Sequence, residues 1–281
     1  MTLREAVAAG ARELEEACPG SPFLDASLLM ASVLGCAREA LLARLPEPLS
    51  DETIDAFRTL IDRRRLGEPV AYILGFREFY GRRFAVDGRV LVPRPETELL
   101  VEAALAALPA PSTGASLRAH DGFAGSGCVG ITLAAERPDL DISLSDASEE
   151  ALELCALNSR SILGRELPMA LGLGLAAAKA PLDLITANPP YVASSFVDGM
   201  RAAGNVEPRM ALDGGAFGLD PYAPLARDAY ALLRSGGTLV AEIGDEQGAA
   251  VSFLFEQAGF SDIRVLKDLA GQDRVVLGVR P

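Results

Sequence analysis

Between residues 95 and 277 the chain alternates short apolar runs with longer amphipathic stretches, and few architectures accept that rhythm. Repeated β–α–β passes lay strands side by side in one direction, and a mostly parallel sheet needs helices over both faces. Pro95 opens a helix through Leu99, Leu100, Ala103, Ala104 and Leu108. A strand is expected near residues 116–121, then a Gly-rich turn and a helix at about 128–136. Ile142 and Leu144 mark the next strand, and Ser148 caps a helix whose first turn holds Glu149 and Glu150. The run Leu182–Ala187 reads as a buried strand followed by a long loop. A helix near 220–234, a strand at 238–243 and a helix ending at Gly259 come next. Strands around Ile263/Val265 and 275–277 close the chain, while residues 170–180 carry no clear period.

The first part is different in kind. Thr2 caps a helix carrying Leu3, Ala6, Val7, Ala9 and Leu14. A second helix follows Ser21-Pro22, with Phe23, Leu24, Leu28, Leu29, Val33 and Leu34 expected on its buried side. Ser50 caps a third through Ile54, Phe57, Leu60 and Ile61, closed near Gly67 with Arg63, Arg64 and Arg65 favourably placed at its C-terminus. Apolar alternation between residues 79 and 92, interrupted by Asp87-Gly88, predicts a β-hairpin turning at that dipeptide. The expected layout is therefore a helical domain at 1–77, a hairpin linker at 78–92 and an α/β domain at 93–281.

Composition narrows the function. A net charge of −13 argues against a large nucleic-acid footprint, which needs a Lys/Arg surface. Cys18, Cys36, Cys128 and Cys155 are scattered, and His120 is the single histidine, so neither a disulfide framework nor a metal site is expected. No apolar run reaches the length of a membrane span, and the N-terminus lacks a signal-peptide layout. A cytoplasmic protein is expected.

Two motifs carry chemistry. Asn188-Pro189-Pro190-Tyr191 ends the strand Leu182–Ala187 and suits gripping a planar –NH₂ group. The Asn188 side-chain oxygen and the Pro189 carbonyl are two acceptors, the prolines donate nothing and hold φ near about −65°, and Tyr191 is a candidate flat wall. A strand followed by a Pro-rich turn is the plainer account of the same residues. The other motif is the turn from Asp121 through Gly122, Phe123, Ala124, Gly125, Ser126 and Gly127, placed where a strand meets a helix. Small residues there let a ligand approach backbone N–H groups. Asp146 ends the next strand, where a carboxylate accepts ribose hydroxyls or merely caps a helix. Residues 125–130 also match G-x-G-x-x-G, a nicotinamide-binding pattern. An acidic residue before the glycines repels a pyrophosphate but suits the amine of S-adenosylmethionine (SAM). Asn188-Pro189-Pro190-Tyr191 adds a motif that a dehydrogenase does not need.

Taken in order, Pro93-Arg94-Pro95-Glu96-Thr97-Glu98, the Asp121–Gly127 turn, Asp146-Ala147-Ser148 and Asn188-Pro189-Pro190-Tyr191 resemble the PrmC/HemK family of release-factor glutamine N5-methyltransferases. Residues 67–75, Glu207-Pro208-Arg209, Asp213-Gly214-Gly215 and 267–271 match as well. The resemblance implies a seven-stranded, Rossmann-like SAM-dependent methyltransferase domain behind a small helical domain that holds the release factor. It implies that Phe123, Ala124, Gly125, Ser126, Gly127 and Asp146 contact SAM, with Asp121 and Asn188 beside it and Leu173 near the adenine. Asn188, Pro189, Pro190 and Tyr191 would hold the glutamine of the Gly-Gly-Gln motif of a class I release factor, a protein substrate, with the enzyme a monomer. The chain departs from the family at Phe123, where a glycine is usual, and in the polar strand 116–120. Two other readings stay open. One is an adenine-N6 nucleic-acid methyltransferase; the other is a non-catalytic binder with a weakened SAM site.

Overall fold

A computed structural model describes residues 1–16, 20–110 and 116–281, and Cys18 lies outside the described residues. Packing groups these into two units: Met1–Phe76 with Gly199–Val206, and Arg77–Asp198 with Glu207–Pro281.

The first unit is helical: α1 (Leu3–Leu14), α2 (Pro22–Val33), α3 (Arg38–Ala43), α4 (Asp51–Arg65) and α5 (Val70–Leu74). Thr2 and Glu5 close a capping box on α1, and Ser50 caps α4 through the Thr53 N–H. Leu3, Val7, Leu14, Leu29, Met30, Phe57 and Ile61 form the core. The rotation of α2 differs from expectation. Phe23 and Leu24 face outward, while Asp25, Ala26, Leu29 and Met30 are buried. Asp25 accepts from Arg64 at 2.8 Å, and this ion pair, nearly out of water, sets which side of α2 faces α4. Arg63 pairs with Glu68 just past the end of α4.

A hairpin follows, β1 (Phe76–Phe79) and β2 (Arg82–Ala85). Its turn is Tyr80-Gly81, both with positive φ (50° and 71°), not Asp87-Gly88. Asp87 instead grips Arg89 through its backbone N–H and guanidinium, and Val90 and Val92 are buried without joining a strand.

The second unit continues through a 3₁₀ turn (Pro95–Thr97), α6 (Glu98–Ala107), β3 (Leu117–Gly122), α7 (Cys128–Glu136), β4 (Leu140–Asp146), α8 (Glu149–Leu163), β5 (Met169–Leu171) and β6 (Leu182–Ala187). The long loop expected after β6 contains α9 (Ser194–Ala202) and a 3₁₀ turn (Arg209–Ala211). Then come α10 (Tyr222–Leu232), β7 (Leu233–Glu242), α11 (Gly248–Ala258), β8 (Ser261–Lys267) and β9 (Asp273–Val279). The seven strands run in the order β5-β4-β3-β6-β7-β9-β8, parallel except for β9, which is antiparallel to both neighbours. Successive residues feed opposite faces. Leu184 joins Leu100, Val129 and Cys155 on one side, and Ile185 joins Tyr222, Val251 and Phe255 on the other.

Strand β3 lies inside the sheet between β4 and β6, and His120 on it is only 1% exposed. Its ring nitrogens meet Ser143 Oγ at 2.9 Å and Ser145 Oγ at 2.8 Å. Ser145 Oγ in turn donates to the Gly174 carbonyl, so the buried imidazole of β3 is satisfied by two hydroxyls of the neighbouring β4. Among the described residues no helix is long and apolar enough to cross a membrane.

Candidate active site

Chain order reverses across the sheet at β3 and β6, which are neighbours although β4 and β5 lie between them in sequence. In open α/β sheets the crevice beyond the carboxyl ends of strands at such a switch is where ligands sit. A cavity opens there, lined by Asp121, Phe123, Ala124, Gly125 and Ser126 after β3, Asp146 after β4, Leu173 after β5, and Asn188 and Pro190 after β6. Arg94 and Thr97 line it from the segment before α6, and Pro208 and Met210 from the loop beyond α9. Gly127, Pro189 and Tyr191 do not line it. Gly127 forms the N-terminal cap of α7, Pro189 is buried, and Tyr191 is directed to the core, its hydroxyl donating to Glu242 at 3.2 Å.

The turn after β3 is held by two carboxylates. Asp121 accepts from the Gly130 N–H at 3.0 Å and from Thr186 Oγ at 2.7 Å. Burial pushes its carboxyl up to about 7, with Asp146 adding to the rise. Asp146 accepts from the Gly125 N–H at 2.8 Å and the Ser148 N–H at 2.9 Å, so each oxygen holds one backbone donor. It stitches the turn to the start of α8, where Ser148 Oγ accepts from the Ala151 N–H. Asn158, buried on α8, ties the same turn to β2 by donating to the carbonyls of Ser126 and Ala85 and accepting from the Ala85 N–H.

The cradle suits a ligand with an ammonium and a ribose. A Cβ on Gly127, at φ 81°, would lie 2.5 Å from Cys155 Sγ and Ile131 Cδ1, so only glycine lets the chain turn this tightly into α7. A Cβ on Gly125 would meet nothing within 4 Å, so the turn is open there. Asp121 has no cation among the described groups that act on it, and a ligand ammonium supplies one. Asp146 keeps lone pairs beyond those used by the two N–H groups. Leu173 stands 76% exposed at the rim and offers an apolar face. The thiol of Cys128, also in the lining, is pushed up to about 12 by burial and is inert as a nucleophile at neutral pH.

At the opposite side Asn188 Nδ2 donates to Thr97 Oγ1 at 3.4 Å, leaving Oδ1 for another partner. The backbone around it is packed without slack. A Cβ on Gly214 would come 2.5 Å from the Pro190 carbonyl oxygen, and one on Gly218, at φ 70°, would collide with the Tyr191 carbonyl. Arg94 is fixed by the buried Glu207 at 2.6 Å, and Glu207 also accepts from the Val92 N–H. Sequence reading missed Thr97, Thr186, Asn158 and Glu242. Each is a buried polar residue, and that property shows only after folding.

Residues 5–75 match the family described as the PrmC N-terminal domain, and residues 97–205 match the methyltransferase small domain. The fold is shared with a solved methyltransferase from Pyrococcus furiosus (TM-score 0.53, 14% identity, 72% of this chain and 90% of that one). It is also shared with the hMettl16 catalytic domain solved with an RNA hairpin (TM-score 0.58, 12% identity, 75% and 80%). A release factor glutamine methyltransferase from Neisseria gonorrhoeae is 42% identical, the match covering 92% of this chain and 93% of that protein. One from Moorella thermoacetica is 38% identical across 100% of this chain and 99% of its own length. With identity of that level across nearly the full length of both partners, this chain belongs to the release factor glutamine methyltransferase family.

Proposed function

We propose that this chain transfers a methyl group from SAM to the side-chain amide nitrogen (N5) of the glutamine in the Gly-Gly-Gln motif of a class I release factor, acting as a cytoplasmic monomer. In this reading residues 1–77 dock the release factor, 78–92 link, and 93–281 carry the chemistry. The observation that carries it is the place of Asn188: it ends β6 at the switch point, in one cavity with Asp121, Gly125 and Asp146.

SAM, when bound, supplies a methyl group already activated by its sulfonium. Asp121 and residues 123–126 would hold its amino-acid end, with Gly127 shaping the turn from behind, Asp146 its ribose and Leu173 the adenine. A carboxamide nitrogen is a weak nucleophile because its lone pair is delocalised into the carbonyl, so the protein's tasks are aim and charge. Asn188 Oδ1 and the Pro189 carbonyl each accept one N–H of the glutamine amide. The same two oxygens favour the positive charge that grows on that nitrogen in the transition state. Once methylated, the nitrogen sheds its proton readily, and a strong general base is unnecessary. Pro190 walls the pocket, and Tyr191 stiffens the corner from behind.

The test is mass spectrometry of the Gly-Gly-Gln peptide after incubation of purified protein, SAM and release factor, with duplex DNA as a competing acceptor. One added methyl on glutamine is expected; methyl appearing on DNA alone would refute the reading. Asn188→Ala is expected to cost about 2.7–4 kcal/mol in kcat, by analogy with loss of one oxyanion-hole donor. Calorimetry should find SAM affinity unchanged in that variant.

A further inference from the structure

The segment that follows β5 is fixed to the sheet by more than packing. A second cavity is lined both by Ala170, Ala177 and Lys179 of this segment and by His120 and Ser143 of the sheet, so the two do not close on each other there. Around Leu173 the attachment is specific. On one side the Gly172 N–H donates to the Asp146 carbonyl at 2.9 Å. On the other, Ser145 Oγ donates to the Gly174 carbonyl at 3.0 Å. Leu175, 4% exposed, then covers Gly122, where a Cβ would come 2.9 Å from its Cδ2. Gly122 and Ser145 are partners in the register of β3 and β4, so the loop rests on one site at the carboxyl ends of two neighbouring strands. Of the two hydrogen bonds that flank Leu173, only the one from Ser145 depends on a side chain.

Ser145 has a single hydroxyl proton. The Gly174 carbonyl can only accept, so that proton is committed there, and Ser145 Oγ meets His120 Nε2 as an acceptor. Nε2 therefore carries the ring proton, and Nδ1 accepts from the Ser143 hydroxyl. Burial lowers the imidazole to about 4, which keeps it neutral at neutral pH. The donors thus run one way, from Ser143 through His120 and Ser145 to Gly174. An apolar side chain at position 120 would remove the donor that directs the Ser145 hydroxyl outward and leave its proton free to turn. We propose that Ser145, oriented by His120, is a positioning residue for cofactor binding: it pins the Gly174 carbonyl and so holds Leu173 against the adenine of SAM. This rests on the placing of the adenine at Leu173 given under the proposed function.

Leu173 lines the cofactor cavity yet is mostly exposed, so its own side chain does little to fix where it stands. A loop that keeps the binding shape only about a tenth of the time binds with an apparent Kd about tenfold higher. Tenfold corresponds to about 1.4 kcal/mol, the size of one hydrogen bond. The loss should fall on the nucleoside half of the cofactor alone. The turn after β3, which takes the amino-acid end, is held by the Asp121 and Asp146 carboxylates. It is held as well by the Ser145 backbone carbonyl, which accepts from the Ala124 N–H and survives any change of the Ser145 side chain.

The experiment measures, by calorimetry and competition, how three ligands bind wild type, Ser145→Ala, His120→Leu, His120→Gln and Leu173→Ala. The ligands are SAM, methylthioadenosine, which keeps the nucleoside without the amino acid, and S-methylmethionine, which keeps the sulfonium and amino acid without the nucleoside. Ser145→Ala should raise the Kd of SAM and methylthioadenosine about tenfold, and His120→Leu at least about threefold, with S-methylmethionine within about twofold in both. His120→Gln still offers Ser145 an N–H and should bind all three as wild type does. In methyl transfer Ser145→Ala should raise KM for SAM and leave kcat unchanged, because saturating cofactor restores the shape of the loop. Should His120→Leu fail to fold, Ser145→Ala and His120→Gln decide. Equal weakening of all three ligands, or wild-type binding in Ser145→Ala, overturns the proposal. Leu173→Ala separates it from the reading beneath it. If that variant weakens methylthioadenosine and Ser145→Ala does not, the pin falls and the adenine placement stands. If Leu173→Ala changes nothing, the adenine placement falls and takes the pin with it. Binding as expected in every variant, by a wild type that leaves the release factor unmethylated, would sink the acceptor assignment and spare the pin.

Discussion

Phe123 shows how one residue can break a local preference and leave the site intact. It sits at φ 60°, a left-handed conformation that costs a non-glycine residue about 1–2 kcal/mol. The ring is half-buried against the core that holds Tyr222 and Ile185, with Gly174 close by, and that packing offsets the strain. Because the backbone already follows the path a glycine would take, Phe123→Gly should leave SAM affinity within about threefold, or under about 0.7 kcal/mol. The same change should lower the melting temperature through the lost ring contacts. Calorimetry and thermal melts measure both, and a large gain in affinity would mean the ring blocks the cofactor.

At the scale of elements, the strand–turn–helix passages were readable and the side-chain alliances were not. Ser148 before α8, Gly259 after α11 and the run Leu182–Ala187 announce themselves through local chemistry, since caps and apolar runs act over a few residues. Asp87-Gly88 misled because the true turn uses Tyr80 at positive φ, a choice no propensity favours. The facing side of α2 depended on Arg64, 39 positions from Asp25, and so had no local signal. Asn188, Asp121 and Asp146 could be singled out because each stands at or beside the carboxyl end of a strand, whereas Glu242 comes beside Asn188 only through sheet register and Thr97 reaches it from the 3₁₀ turn before α6. Tyr191, read as a wall of the pocket, lies instead behind it. One consequence belongs to α8. Ser148→Ala removes the oxygen that accepts from the Ala151 N–H and should cost about 1 kcal/mol of stability in urea unfolding. It should also weaken SAM binding measurably, because Asp146 is anchored at the same helix start through the Ser148 N–H.

For the molecule as a whole, buried ionisable groups make stability respond to pH in two opposed ways. Desolvation lowers His120 to about 4 from its ordinary 6.5, so its neutral form stabilises the fold above pH 6.5, and that contribution is lost as pH falls toward 4. Asp121 and Glu242 are raised to about 7; the unfolded chain ionises them near 4, so their contribution is largest in acid and falls as pH rises from 4 to 7. The terms partly cancel in wild type. His120→Gln keeps a partner for Ser143 and Ser145 but cannot charge, so relative to wild type it should gain about 2 kcal/mol on going from pH 7 to 5. Thermal unfolding of the two proteins at both pH values, without SAM, measures this, and an unchanged difference would mean that the imidazole titrates normally.

The chain also enters its helical unit twice, first as Met1–Phe76 and again as Gly199–Val206. The second visit departs soon after Tyr191 and rejoins at Glu207, immediately before Pro208 in the cavity wall. Excising residues 1–76 is therefore no clean surgery: it leaves residues 199–206 without the helices they pack with, within the connection that leads on to Pro208. A shortened enzyme made that way should lose turnover even on a free glutamine peptide too small to need a docking surface.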